Sequence, residues 1–225
     1  YNLVNIDTGA TYRCVTLEMM NQNIGMDEEE KIAEMLKSIQ IELSTEKGKQ
    51  KVFLNGQDVT DKIRSKEVSA NVSPVSSIKQ VRLAMGGLQR KMAQGKDVIM
   101  EGRDIGTVIF PNADVKIYLD ANVEVRAKRR VKQNEEKGIE MSYEEVLENI
   151  KKRDKNDMEK EMGALKVAED AVVIDGSEMT IKEVEKAISN VIDKKLKEKK
   201  EQEKIYWVRP ETTWKKIERA TIKAI

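Results

Sequence analysis

The chain has 225 residues, with 41 Lys and Arg against 40 Asp and Glu, one cysteine and no histidine. That length suits one or two compact domains, and a charge so evenly balanced argues against a general nucleic-acid binder, so any anion site must come from locally grouped Arg and Lys. A lone Cys14 and no histidine leave no disulfide framework and no base for a Ser-His-Asp or Cys-His nucleophile, argue against a zinc site, and accompany a sequence with no membrane-length apolar run and no signal peptide.

In chain order, Leu3 to Ile6 is an apolar run that reads as a buried strand. It leads into Asp7-Thr8-Gly9-Ala10-Thr11-Tyr12-Arg13. A glycine and a helix start bearing Arg13 make either a phosphate site or a capped helix with an exposed arginine. Asp27 is predicted to cap a helix whose apolar face is Ile32, Met35, Leu36 and Ile39. From Ile39 to Val59 the pattern alternates, with turns at Gly48 and Asn55-Gly56, which predicts a small antiparallel unit. Ser69 to Ser76, with Pro74, reads as a loop or as part of a site that runs on to Arg82 and Leu88-Gln89-Arg90.

A second strand, Val98 to Met100, ends at Glu101-Gly102-Arg103-Asp104-Ile105-Gly106-Thr107. Ligands of parallel sheets bind at the carboxyl ends of strands. Arg103 offers a fork for phosphate and Asp104 an acceptor, although a tight turn with a surface ion pair reads the same way. Val115 to Leu119 is a third strand, and a helix from near Val123 stops at Gly138. Ser142 with Glu145, and Thr180 with Glu183, are capping boxes that open two further helices. Arg153-Asp154-Lys155-Asn156-Asp157, with Lys160 beyond, is predicted to follow the first of these, as a solvated charged face or a phosphate site. Ala171 to Ile174 is a fourth strand, and Lys194 to Lys204 a solvated helix extension or linker. Helical patterns between Val/Ile-rich runs predict an α/β fold, with a parallel sheet whose strands are covered on both faces. Three strand or helix ends each present an Arg beside an Asp or a hydroxyl, the set a monophosphate with a polar base requires.

Taken together, D-T-G-A-T-Y-R, E-V-S-A-N-V-S, L-Q-R-K-M-A, E-G-R-D-I-G-T-V-I-F-P-N-A-D-V-K-I-Y-L-D-A, K-R-D-K-N-D and A-E-D-A-V-V-I-D-G closely resemble the bacterial cytidylate (CMP/dCMP) kinases, within the nucleoside monophosphate kinases. The resemblance runs over about residues 1 to 195. It implies a P-loop nucleoside-triphosphate-hydrolase-like α/β kinase fold, with a nucleotide-binding subdomain inserted at 26–82 and a helical lid within 128–165. It implies transfer of a phosphoryl group from ATP, with Mg2+, to CMP or dCMP in a monomeric cytoplasmic enzyme of pyrimidine metabolism. It implies that Ser73, Arg82 and Asp104 contact the base, that Asp157 holds the ribose, and that Thr8 is among the substrate-binding residues. Arg13, Arg103, Arg153 and Lys160 would hold phosphate, and Arg129 and Arg130 in the lid would face the ATP phosphates. No protein residue need ligate a metal outside the phosphate-binding loop, and catalysis is mostly positioning and charge neutralisation.

The sequence departs from that pattern in one large respect. No G-x-x-x-x-G-K-[ST] loop occurs in the 225 residues, although such a loop cradles the ATP phosphates. Together with the start at Tyr1, this predicts a truncated chain without the family's first strand, inactive alone. Smaller departures are Lys160 for Arg, Gly163-Ala164 for Ser-Pro, and Lys79 for Pro. Residues 196–225 read as a charged linker and amphipathic tail, with Trp214, Ile217, Thr221 and Ala224 on one side. This tail would dock on another domain or approach a membrane. The rival readings are a non-catalytic CMP-binding module and a fusion whose tail serves a second, membrane-associated domain.

Overall fold

The structure is a computed structural model that describes residues 1–46, 49–136 and 138–205. It divides into two compact units, Tyr1–Pro111 with Lys151–Lys166, and Asn112–Ile150 with the chain from Val167 on.

In the first unit, β1 (Val4–Asp7) feeds α1 (Thr8–Asn21). The Asp7 carboxylate caps α1 by accepting from the Ala10 N–H at 3.1 Å. Ala10, Cys14, Val15 and Met19 are buried on this helix, as are Thr11 and Thr16. A helix buried on all sides needs its polar groups satisfied internally. Thr11 Oγ1 donates to the Thr8 carbonyl and Thr16 Oγ1 to the Tyr12 carbonyl. Around α1 pack α2 (Glu29–Ser38), α3 (Lys66–Val75) and α4 (Lys79–Ala93), with a 3-10 turn at Lys62–Arg64. The predicted antiparallel unit is present as β2 (Ile41–Glu46), β3 (Lys49–Leu54) and β4 (Gln57–Asp58), with Ile41 opposite Leu54. Its Val52 and Leu54 enter the same core as Ile32 and Met35 of α2. β5 (Val98–Glu101) pairs in parallel with β1, Val4 opposite Val98 and Asp7 opposite Glu101. A π-helical turn, Ile105–Ile109, follows.

In the second unit, β6 (Ile117–Asp120) pairs in parallel with β7 (Val172–Asp175). α5 (Val123–Glu135), α6 (Tyr143–Glu159) and α7 (Ile181–Ile205) complete the described elements. From Lys151 on, α6 belongs to the first unit. Both capping boxes form. Ser142 Oγ accepts from the Glu145 N–H while Glu145 accepts from the Ser142 N–H, and Thr180 and Glu183 exchange the same bonds. α5 stops as predicted, with Gly138 at φ +67° and its N–H on the Glu135 carbonyl. No described helix is long and apolar enough to cross a membrane.

Three expectations need correction. The described parallel strands pair as β1 with β5 and β6 with β7. They are not covered on both faces: Val4, Ile99, Leu119 and Val173 are 43%, 45%, 55% and 55% exposed, and Ile6 and Ile174 are the buried members. In β5 and β7 the exposed Ile99 and Val173 alternate with more buried neighbours, because successive side chains point to opposite faces. Asp27 does not cap α2: Glu28 holds that position without a side-chain cap bond, and its carboxylate accepts from the Gly25 N–H instead. Arg153 to Asp157 do not follow a helix but lie within α6. The residues from Ser69 to Val75 are likewise helical, in α3, capped by Ser65. α7 carries the Lys/Glu-rich stretch on to Ile205, and the amphipathic pattern from Pro210 to Ala224 lies outside the described residues.

Candidate active site

The polar residues of the first unit assemble where β5 ends, beside α3, α4 and the last turns of α6. Gly102 makes the tight exit from β5, since a Cβ there would strike Thr8 Oγ1 and come within 2.9 Å of Ile105 Cδ1. Thr8 Oγ1 donates to the Glu101 carbonyl at 2.6 Å, locking the start of α1 to the end of β5. The carboxylates of Asp7 and Glu101 sit on paired residues. Burial, then the Asp7 charge, pushes the Glu101 carboxyl up, with Arg64 opposing.

Two buried ion systems follow. In the first, Arg82 of α4 pairs with Asp104, the residue before the π turn, and both side chains are 5% exposed. The guanidinium also lies over the Tyr12 ring, 5.2 Å from its centroid, a cation–π contact. The Tyr12 hydroxyl is buried without a hydrogen-bond partner among the described residues. Burial pushes its pKa up, and the Arg82 charge draws it back. In the second, Asp157 of α6 collects three cations: Arg103 Nε at 2.9 Å, Lys160 Nζ at 2.8 Å and Arg153 Nε at 3.8 Å. Arg153 reaches it because residues four apart share a helix face. Burial alone would raise the Asp157 carboxyl, but Lys160 and Arg103 outweigh it and hold the group below its ordinary 3.8.

Ser76 joins the two systems. Its hydroxyl accepts from Lys160 Nζ at 2.9 Å, and its carbonyl takes a long bond of 3.5 Å from Arg82 Nη1. Sequence reasoning did not assign Ser76 a role. It lies in the family-like Ser-rich stretch, where nothing in the pattern distinguishes it from Ser73. The Ser73 hydroxyl is buried without a partner among the described residues, a group that a ligand atom would satisfy.

Of the residues singled out in the sequence, Arg82, Asp104, Arg103, Arg153, Asp157 and Lys160 are therefore linked by direct contact or through Ser76. Arg13 is engaged elsewhere, donating to the Ile63 carbonyl at 3.0 Å and to Ser69 Oγ at 2.9 Å. Arg129 and Arg130 belong to α5 in the second unit. Arg129 Nη2 donates to the carbonyls of Gly176, Ser177 and Met179, tying down the loop after β7. Arg130 is exposed, with a 3.5 Å contact to Gln133 Oε1.

Arg103, Arg153 and Lys160 thus surround the buried Asp157 carboxylate, and Ser76 links this cluster to the buried Arg82–Asp104 pair. The family model for cytidylate kinase matches residues 1–194. Among curated relatives, the cytidylate kinase of Caldicellulosiruptor bescii is 46% identical over 194 residues, covering 86% of each chain. That of Caldicellulosiruptor saccharolyticus is 49% identical over 181 residues, or 80% of each. The Bacillus subtilis (strain 168) protein is 46% identical over 192 residues, covering 85% of this chain and 86% of its own. The chain belongs to the cytidylate kinase family, and its fold is the mixed α/β fold, with parallel strand pairs, of the P-loop nucleoside monophosphate kinases.

Proposed function

We propose that this chain carries the acceptor site for ATP-dependent phosphorylation of CMP or dCMP, giving ADP with CDP or dCDP, in cytoplasmic pyrimidine nucleotide metabolism. The observation that carries the reading is the junction of the two buried ion systems at Ser76. Ser76 touches both Lys160 of the cation cluster, read here as the phosphate side, and Arg82 of the Arg82–Asp104 pair, read here as the base side.

Each group then has a task. Asp104 accepts from the exocyclic amine of cytosine, which uracil lacks. Arg82 holds that carboxylate in place, and the Ser73 hydroxyl bonds a second atom of the base. Asp157 faces the ribose, and Arg103, Arg153 and Lys160 bind and neutralise the nucleotide phosphate, with Arg13 and Thr8 at its edge. An oxygen of that phosphate attacks the γ-phosphorus of ATP, the bond from the γ-phosphorus to the β–γ bridging oxygen breaks, and ADP leaves. No protein nucleophile is needed, because the rate comes from positioning and charge neutralisation. Arg129 and Arg130 belong to a helical lid spanning 128–165, and 26–82 is the inserted nucleotide-binding subdomain.

Magnesium enters this reading with ATP, as the metal of the substrate complex. The sequence has no G-x-x-x-x-G-K-[ST] loop, and on this reading the 225 residues bind the acceptor but do not transfer phosphate unaided. A coupled assay of CMP-dependent ADP release tests both statements. The chain alone is expected to give none, and the chain joined to a strand-loop-helix segment bearing that motif is expected to turn over CMP. Turnover by the chain alone would overturn the first statement, and inactivity of the joined protein would overturn the second.

A further inference from the structure

Lys160 stands where the family pattern has arginine, and the exchange changes what the site needs. A guanidinium is a rigid fork of five donors, pre-organised for carboxylate and phosphate, whereas an ammonium is a compact charge with three donors on a flexible stem. Lys160 is nevertheless held closely. Its side chain is 6% exposed, and Nζ donates to Asp157 Oδ1 at 2.8 Å and to Ser76 Oγ at 2.9 Å.

The Ser76 hydroxyl suits that contact. Ser76 is the buried C-cap residue of α3, and its Oγ donates to the Ser73 carbonyl at 2.8 Å. With the hydroxyl proton committed there, lone pairs are what remain for Nζ. The last turn of α3 also carries the negative end of the helix dipole, which favours a cation beside it. Two acceptors, one at the end of α3 and one on α6, thus fix two of the three N–H directions, and the tetrahedral ammonium fixes the third. We propose that Ser76 is a positioning residue for the acceptor phosphate, its hydroxyl clamping the Lys160 ammonium on Asp157 so that the remaining N–H is aimed at a phosphate oxygen. The clamp gives lysine the fixed direction that an arginine fork has by itself. The inference rests on the reading of Lys160 as a phosphate-binding residue.

Calorimetric titration of the 225-residue chain with CMP and with cytidine tests it, since cytidine has the same base and ribose but no phosphate. Ser76→Ala is expected to lose about tenfold in CMP affinity, the worth of one hydrogen bond to a charged group, with little change for cytidine. In a Lys160→Arg background the same substitution is expected to change CMP affinity by no more than about twofold, the scatter of independent sites. Equal losses for CMP and cytidine, an unchanged CMP affinity, or the same loss in both backgrounds would overturn the proposal. Lys160→Met tests the underlying reading separately. If it costs no more for CMP than for cytidine, or if the unsubstituted chain does not bind CMP, that reading fails and the proposal with it. A loss confined to CMP in Lys160→Met but absent in Ser76→Ala overturns the proposal alone. Should Ser76→Ala not fold, Ser76→Cys, which keeps the volume but offers only a weak acceptor, takes its place with the same expectations.

Discussion

At the scale of single residues, the buried charges set both the hazards and the tests. Arg82 and Asp104 are each 5% exposed at the side chain, so removing one strands the other in a low-dielectric interior. Arg82→Met is expected to cost about 3–5 kcal/mol in urea unfolding, while Arg82→Met with Asp104→Leu recovers most of that loss, because an apolar pair of similar volume is often neutral. A double variant no better than the single would show that the pair is not the cause. Asp157 gives a pH signature. Its carboxyl is held below 3.8 despite burial, so in the acid window the unfolded chain binds the proton more readily and stability rises with pH. The contribution is in place above the unfolded value of about 3.9 and is lost as pH falls through the folded value. Lys160→Met removes the leading counter-charge and leaves burial to push the carboxyl up. The variant is expected to be weaker than the unsubstituted chain by about 2 kcal/mol at pH 7, with the gap narrowing below about pH 4 as Asp157 protonates in both states. Urea midpoints over a pH series measure this, and a gap independent of pH would contradict it.

Secondary-structure elements were legible in proportion to how local their signals are. The capping boxes at Ser142 and Thr180 were read correctly because the reciprocal bond involves residues three apart. Thr180→Ala is expected to cost about 1 kcal/mol, so amides in the first turn of α7 should exchange about fivefold faster. Unchanged exchange there would mean that packing, not the cap, starts the helix. Asp27 misled because an Asp before a periodic run is only a candidate cap: the helix starts at Glu29, and Glu28 spends its carboxylate on Gly25. Arg153 to Asp157 looked like a segment after a helix because five polar residues in a row carry no apolar period. Within α6 the polar run is what lets Arg153 and Asp157 meet. The four Val/Ile-rich runs announced strands but not their cover. The exposure of Ile99 and Val173 depends on what packs over each face, which no short run encodes.

At the scale of the whole molecule, the α/β class and the family were legible because the G-R-D-I-G-T block and its companions recur in order along 194 matched residues. The ligand-facing geometry was less so. Ser76 and Tyr12 join the site through packing between distant segments: the Lys160 bond to Ser76 spans 84 positions, and the Arg82–Tyr12 contact joins α4 to α1. Spacing along the chain carries no trace of either. What the proposed acceptor site requires is selectivity: a carboxylate that accepts from an amine would distinguish cytosine from uracil, whereas cations on Asp157 would treat the two phosphates alike. The direct measurement is equilibrium titration of CMP and UMP against the chain and its Asp104→Asn variant, with both proteins checked for a cooperative melt. An amide in that place can donate to the uracil carbonyl but no longer offers a charged acceptor. The unsubstituted chain is expected to prefer CMP, and the variant to lose about tenfold or more for CMP with no comparable loss for UMP. Equal affinity of the unsubstituted chain for the two nucleotides, or equal losses for both in the variant, would contradict the assignment of Asp104 and with it the proposed acceptor site.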